Sequence, residues 1–189
     1  MGKIKLIVIF LLILLGLPNR AHASSIKEAG ASASMRTVVE QTTDIQQHID
    51  TGLKRTVIQE ILTSYNSPLV GEADTFIEVC TKYNIDCYLL PSITGVESTF
   101  GRFIMPGSYN PFGWGGGLIV FDSWEDAIDT VGRGLSENYY AKGADTIETI
   151  APIYAASPTW AQKVHYFRNR FVALEEEKRL YFSKLAVEL

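Results

Sequence analysis

In Ile93-Thr-Gly-Val-Glu97-Ser-Thr-Phe-Gly101 a single carboxylate closes an apolar run and is followed by small residues and an aromatic ring. Walled by Ile93, Val96 and Phe100, such a carboxyl group loses solvation of its charged form, so its pKa rises and it can stay protonated near neutral pH. A protonated glutamate beside a glycosidic oxygen can deliver its proton as the sugar bond breaks. The same residues also fit a glutamate at a helix end that points into water, so the context has to decide between the two. Pro91 fits the first turn of a short helix, where a missing N–H costs nothing. The helix then runs from Pro91 to about Thr99 and turns Glu97, near its carboxyl end, toward a cleft.

Upstream, Glu72 to Tyr83 places Ala73, Phe76, Ile77, Val79 and Cys80 on one side of a helix. Cys80 and Cys87 are the only cysteines. The residues between them, Asn84 and Asp86 included, suit a turn between two helices; this spacing permits a disulfide without requiring one. Met35 to Ser64 carries Val38, Val39, Ile45, Ile49, Leu53, Val57, Ile58, Ile61 and Leu62 at helical spacing and reads as one long or broken helix weakened at Gly52. Ser24 to Ser34 is small and polar and reads as a flexible tether. Ahead of it, Lys3 and Lys5, the apolar run Leu6 to Leu17, Pro18 and Ala21-His-Ala23 have the parts of a secretory signal peptide. The expected division is therefore a signal peptide at 1–23, a linker at 24–34, an N-terminal helical segment at 35–64 and a domain at 65–189. The protein is expected to be exported or held at the cell envelope, touching a membrane only through an uncleaved signal segment.

Downstream, Gly101 to Gly117 holds six glycines, two prolines and the aromatics Phe103, Tyr109, Phe112 and Trp114. Rings on such an irregular segment can pack on the apolar face of a sugar, and Asn110 offers a donor and an acceptor to hydroxyl or acetamido groups. Phe112 fits better as an anchor to the core. Leu118 to Phe121 is expected to form one arm of a small hairpin, the only β structure. Asp122-Ser-Trp-Glu125 and Asp145-Thr-Ile-Glu148 read as capping boxes that open two further helices. Thr159 to about Ala186 forms a last long one, with Glu175 to Arg179 as a solvated charged stretch. The fold expected is mostly α.

The whole chain has 17 basic and 21 acidic residues, and loss of Lys3, Lys5 and Arg20 with the leader leaves 14 against 21, or −7. That balance argues against a nucleic-acid partner. His48 and His165 are the histidines beyond the leader, neither spaced to complete a zinc site with the cysteines, so no metal and no cofactor is expected.

Four motifs in order carry a resemblance: Glu97-Ser-Thr-Phe-Gly101, Asn110-Pro-Phe-Gly113, Phe121-Asp-Ser-Trp-Glu-Asp-Ala127, and Tyr154-Ala-Ala-Ser-Pro-Thr-Trp-Ala-Gln-Lys-Val164. Over roughly Pro68 to Phe171 the chain resembles the glucosaminidase family of peptidoglycan hydrolases (glycoside hydrolase family 73, mannosyl-glycoprotein endo-β-N-acetylglucosaminidase-like), part of the lysozyme-like group that includes lytic transglycosylases. The resemblance implies a lysozyme-like helical domain and a glycosidase that cuts β-1,4 bonds between amino sugars in peptidoglycan strands; the protein is expected to be a monomer. By position it implies that Glu97 is the general acid and that Tyr154 lies opposite it, bonding either its carboxyl group or a substrate acetamido oxygen. It also implies that Asn110, Phe112 and Gly113 shape the sugar cleft; Ser98, Tyr109 and Trp114 are expected to bind substrate with them.

The chain departs from that pattern where members often carry a second acid on a longer hairpin; here Gly113-Trp-Gly-Gly-Gly117 has none. Two-carboxylate mechanisms need the pair roughly 5 to 9.5 Å apart. Either Glu97 works alone with an internal nucleophile of the substrate, the reading favoured, or Asp122 orients a water. A non-catalytic wall-binding or envelope-assembly module that keeps the cleft is the alternative. An amidase ranks last, for want of a cysteine–histidine pair or zinc ligands.

Overall fold

The structure, a computed structural model, describes residues 22–188. They are mostly helical, in six α-helices: α1 (His22–Ser64), α2 (Ala73–Tyr83), α3 (Leu89–Ser98), α4 (Trp124–Asn138), α5 (Ile147–Tyr154) and α6 (Trp160–Glu188). Short 3-10 turns lie at Val70–Glu72 and Tyr140–Lys142. None of the described helices is long and apolar enough to cross a membrane. The expected leader lies outside the described residues apart from its last two positions, which open α1. Ser24 to Ser34 is helical rather than a loose tether. Alanines at 29, 31 and 33, the residue type with the highest helix propensity, favour that outcome over the small-and-polar reading.

The chain falls into two compact units, Met1–Ile45 and Gln46–Leu189. The first unit ends within the helical segment expected at 35–64. In the first unit the apolar side chains of Met35, Val38, Val39 and Ile45 are exposed. In the second, α1 supplies Leu53, Val57, Ile58, Ile61 and Leu62 to the core, so this part belongs to the domain.

The centre of the second unit is α3, in which Leu89, Leu90, Pro91, Ser92, Ile93, Thr94, Gly95 and Ser98 are all buried. A helix buried around most of its circumference must hide its polar side chains as well. It does so by back-bonding: Ser92 Oγ donates to the Tyr88 carbonyl at 2.5 Å and Thr94 Oγ1 to the Pro91 carbonyl at 2.8 Å. At Gly95 a methyl group would lie 2.9 Å from Phe100 and 3.0 Å from Phe167, so the bare backbone is what lets α3 and α6 pack this closely. The Cys80 and Cys87 sulfurs are bonded, with Cα atoms 4.9 Å apart, which ties the end of α2 to the start of α3. Asp86 caps that start, accepting from the Tyr88 N–H at 2.8 Å, and receives Arg168 Nε at 2.7 Å.

On α6, Trp160, Val164 and Phe171 are buried, Phe167 packs against the core, and Glu175 continues the same inward stripe. Glu175 is buried, not part of a solvated face. It accepts from Tyr88 at 2.6 Å, Lys54 at 2.9 Å and Arg179 at 2.6 Å. Burial acts to raise its pKa, but the bonds from Tyr88, Lys54 and Arg179 together hold it below the ordinary value. Asp50 receives the other side of Arg179 at 2.7 Å, which closes a network between α1 and α6.

Candidate active site

Three backbone features bring a carboxylate, a loop and an indole together. The first is the end of α3. Thr99 and Phe100 take left-handed conformations at φ 50° and 59°, ahead of Gly101 at 78°. That geometry strains a β-branched and an aromatic residue, and the surroundings over-determine it. Ser98 Oγ accepts the Gly101 N–H at 2.8 Å, and Ser67 Oγ donates to the Phe100 carbonyl at 2.7 Å. Phe100 is thereby turned inward among Tyr65, Phe167 and Phe171 and does not wall Glu97. Ile93 is likewise in the core.

The second feature is the 101–121 loop, which returns to α3. Ser98 Oγ donates to the Pro111 carbonyl at 2.7 Å. Asn110 is buried, its amide donating to Trp114 at 2.9 Å and Ile119 at 3.0 Å while its oxygen accepts the Trp114 N–H at 2.9 Å. This side chain takes the place of a β ladder. Among the described residues there is no strand, so the hairpin arm expected at Leu118 to Phe121 does not form; one backbone bond, Phe121 N–H to Ser108 at 2.8 Å, closes the loop. Repeated left-handed glycines curl the chain before a second strand can align. Asn110 and Ser98 therefore shape the site from within, and their polar atoms are already used by the fold. Phe112 is fully buried, the anchor its composition suggested.

The third feature is the start of α6. Trp160, buried, donates its indole N–H to Glu97 Oε1 at 2.6 Å. Gly113 stands against the other oxygen: a Cβ there would lie 3.2 Å from Glu97 Oε2, in a backbone at φ +60°. Glu97 is exposed, so its carboxyl is open to an incoming molecule on one side and desolvated by Trp160 and the loop on the other. Desolvation raises its pKa above the ordinary value, against the opposing pull of the Trp160 hydrogen bond and the Lys163 ammonium. With Oε1 accepting an N–H, the proton of the neutral acid belongs on Oε2.

Tyr154 is next to the carboxyl but is not its hydrogen-bond donor. Its hydroxyl donates to the Phe112 carbonyl at 2.8 Å, and its ring stacks on Trp160 with centroids 4.9 Å apart. Burial and the nearby Glu97 and Tyr139 push its pKa well up, so it stays neutral. Of the two bonds open to Tyr154, the one to the Glu97 carboxyl is made by Trp160 instead. The half-exposed rings of Trp114, Tyr139 and Tyr154 form a cluster, Trp114 to Tyr154 at 5.7 Å and Tyr139 to Tyr154 at 6.3 Å. The turn between Tyr154 and Trp160 borders an open hollow of about 620 Å³, lined by Ala151, Ala155, Ala156, Ala161 and neighbouring prolines.

Two expected residues are not brought into this group. Tyr109 is exposed and packs edge-on against Trp124. Asp122 is exposed near the start of α4, its backbone N–H bonded to Asp126 at 3.2 Å, and no contact joins it to Glu97. No group of three or more His, Cys, Asp or Glu side chains able to hold a metal occurs among the described residues. Neither protein-family models nor curated proteins match the chain.

Proposed function

We propose that the chain cleaves the β-1,4-linked amino-sugar backbone of peptidoglycan outside the cytoplasm, as a member of the lysozyme-like glucosaminidase group, with Glu97 as proton donor. The observation that carries this reading is the state of one carboxyl group. It is exposed to an approaching chain, raised in pKa by desolvation and oriented by the Trp160 N–H at 2.6 Å. A catalytic acid needs these properties together: reach, a bound proton at working pH, and a fixed direction of transfer. The Trp114, Tyr139 and Tyr154 rings, clustered next to Trp160, suit the apolar face of a pyranose.

In this reading the Oε2 proton passes to the glycosidic oxygen as the bond from C1 breaks. The positive charge developing at C1 is then met by an oxygen of the substrate, either the acetamido carbonyl or the 6-hydroxyl. If the 6-hydroxyl closes on C1, its proton returns to the Glu97 carboxylate and the product is a 1,6-anhydro sugar. The lack of any acid in Gly113-Trp-Gly-Gly-Gly117, next to Glu97, favours this internal route over a water held by a second acid. The same lack of a second acid supports the competing reading of a glycan-binding module without turnover.

Digestion of purified cell-wall glycan, followed by analysis of the new chain ends, tests the proposal. Anhydro ends support closure by the 6-hydroxyl, free reducing ends show that water takes up C1 at the end, directly or by opening the ring formed by the acetamido oxygen, and glycan that is bound but uncut overturns catalysis altogether.

A further inference from the structure

We infer that Gly134, on α4, is a positioning residue for the sugar site: by carrying no side chain it lets the Trp114 ring lie on the helix and present a face to the glycan. The inference rests on the proposed reading in which that ring takes a pyranose. Gly134 is buried, yet its neighbours one turn away on the helix surface, Thr130, Glu137 and Asn138, are half-buried or exposed. It therefore lies at the margin of the buried face of α4, and the Trp114 indole covers it there. A Cβ at Gly134 would stand 2.8 Å from Trp114 Cζ2 and 3.2 Å from Cη2, too close for the ring to stay where it is. Alanine would favour the helix over glycine but would leave no room for the outer edge of the indole. Gly132, two residues earlier, is a different case: a Cβ there would meet Val79 Cγ1 in the core at 2.3 Å, so its bare backbone serves packing between α4 and α2.

The seat of the ring is separable from the catalytic acid. The Trp114 backbone is fixed by the Asn110 side chain, which accepts its N–H at 2.9 Å and donates to its carbonyl at 2.9 Å. That clamp holds the chain at Gly113, against Glu97, and uses no atom of the indole. The ring can therefore shift while the carboxyl and its Trp160 donor keep their places. The other neighbours of the indole are the rings it has to line up with, Tyr139 at 6.4 Å and Tyr154 at 5.7 Å between centroids. Tyr139 caps the end of α4, so one helix sets both the seat of Trp114 and the ring beside it. A pyranose packs on a flat apolar surface, and a surface assembled from separate rings depends on their relative tilt. Gly134 acts on glycan affinity through that tilt, from beneath the indole and without touching the reacting atoms.

Titration calorimetry with soluble, uncross-linked strands of purified cell-wall glycan tests the inference, with each variant built on Glu97→Gln so that the strands stay uncut. Gly134→Ala should weaken binding about threefold to tenfold, the size of one aromatic contact, with a cooperative thermal transition retained. Trp114→Phe, which lacks the outer edge of the indole, should weaken it by a similar factor. Gly134→Ala added to Trp114→Phe should cost nothing more, because the atoms that would meet the new methyl group are gone. With Glu97 restored, the loss from Gly134→Ala should appear in KM and not in kcat. The inference is overturned if Gly134→Ala binds as tightly as its parent, no longer folds, weakens binding as much beside Trp114→Phe as alone, or lowers kcat rather than raising KM. Unchanged binding by Trp114→Phe would instead remove the reading of the ring as a sugar platform, and the inference with it.

Discussion

Gly113→Ala isolates the role of the bare backbone beside Glu97. The substitution does two separable things. It places a side chain at φ +60°, where an L-residue pays about 1 kcal/mol, and it places a methyl carbon 3.2 Å from Glu97 Oε2. The first effect alone should lower the melting temperature by about 2–4 °C for a domain of this size. The second forces the carboxyl to shift by a few tenths of an ångström and disturbs the 2.6 Å bond from Trp160. Since a misplacement of about 1 Å can cost on the order of a hundredfold in rate, a shift of this size should cost about tenfold in glycan cleavage. Gly107→Ala is the matched control: Gly107 has φ +76° and open space where its Cβ would go. It should show a similar melting shift and full activity. Thermal denaturation paired with a dye-release assay on cell-wall glycan reads both effects. If Gly113→Ala keeps full activity, or if Gly107→Ala loses as much, the argument from close approach is wrong.

Other perturbations probe different parts of the account. Because desolvation raises the Glu97 pKa, cleavage should fall as pH rises through an inflection above 4.5, and Lys163→Gln, which removes a charge that lowers it, should move that inflection upward in a pH–rate profile. The folded protein holds this proton more tightly than the unfolded chain does. Glu97 therefore costs stability as pH climbs from 4.5 through the raised value, and Glu97→Gln should melt higher than the parent above that window. Glu175→Ala leaves Lys54 and Tyr88 without their partner and should cost about 2 kcal/mol, a fall of roughly 4–8 °C in differential scanning calorimetry. The Glu175 pKa is depressed, so its contribution is complete above the ordinary carboxylate range and is lost as pH drops through the folded value; Glu175→Gln should flatten the acid limb of stability. Reduction of Cys80–Cys87, which closes a short loop, should cost about 2.5 kcal/mol on chain-entropy grounds while leaving cleavage intact below the lowered melting point.

The helices were legible from apolar spacing because burial imposes a period, and α2, α4 and α6 follow it. The caps of α4 and α5 lie one residue later than the capping boxes expected at Asp122 and Asp145. Ser123 and Thr146 accept the first-turn N–H groups, from Asp126 at 3.1 Å and Thr149 at 3.2 Å, although an aspartate precedes each and has the same capping chemistry. Glu175 was hidden in a run of three glutamates, where composition says surface while the stripe Val164, Phe167, Phe171 says interior. Trp160 was read as one more apolar residue on a helix, yet a buried indole N–H must find an acceptor, and that rule was the available pointer to Glu97. The loop misled most. Its glycines signalled turns correctly, but that Asn110 would do the work of a strand pair depends on contacts between residues 4 and 9 positions apart, which propensity does not encode. That Glu97 is exposed, with its desolvation coming from Trp160 and Gly113 rather than Ile93 and Phe100, depends on the chain reversal at Thr99 and Phe100.

Mass spectrometry of the fragments released from purified cell wall by the parent protein and by Glu97→Gln is the most direct test of Glu97 as proton donor. The parent should sever strands between amino sugars, and the variant, folded and with its Trp160 partner still able to bond the amide oxygen, should release none. Undiminished release by the variant would contradict that role.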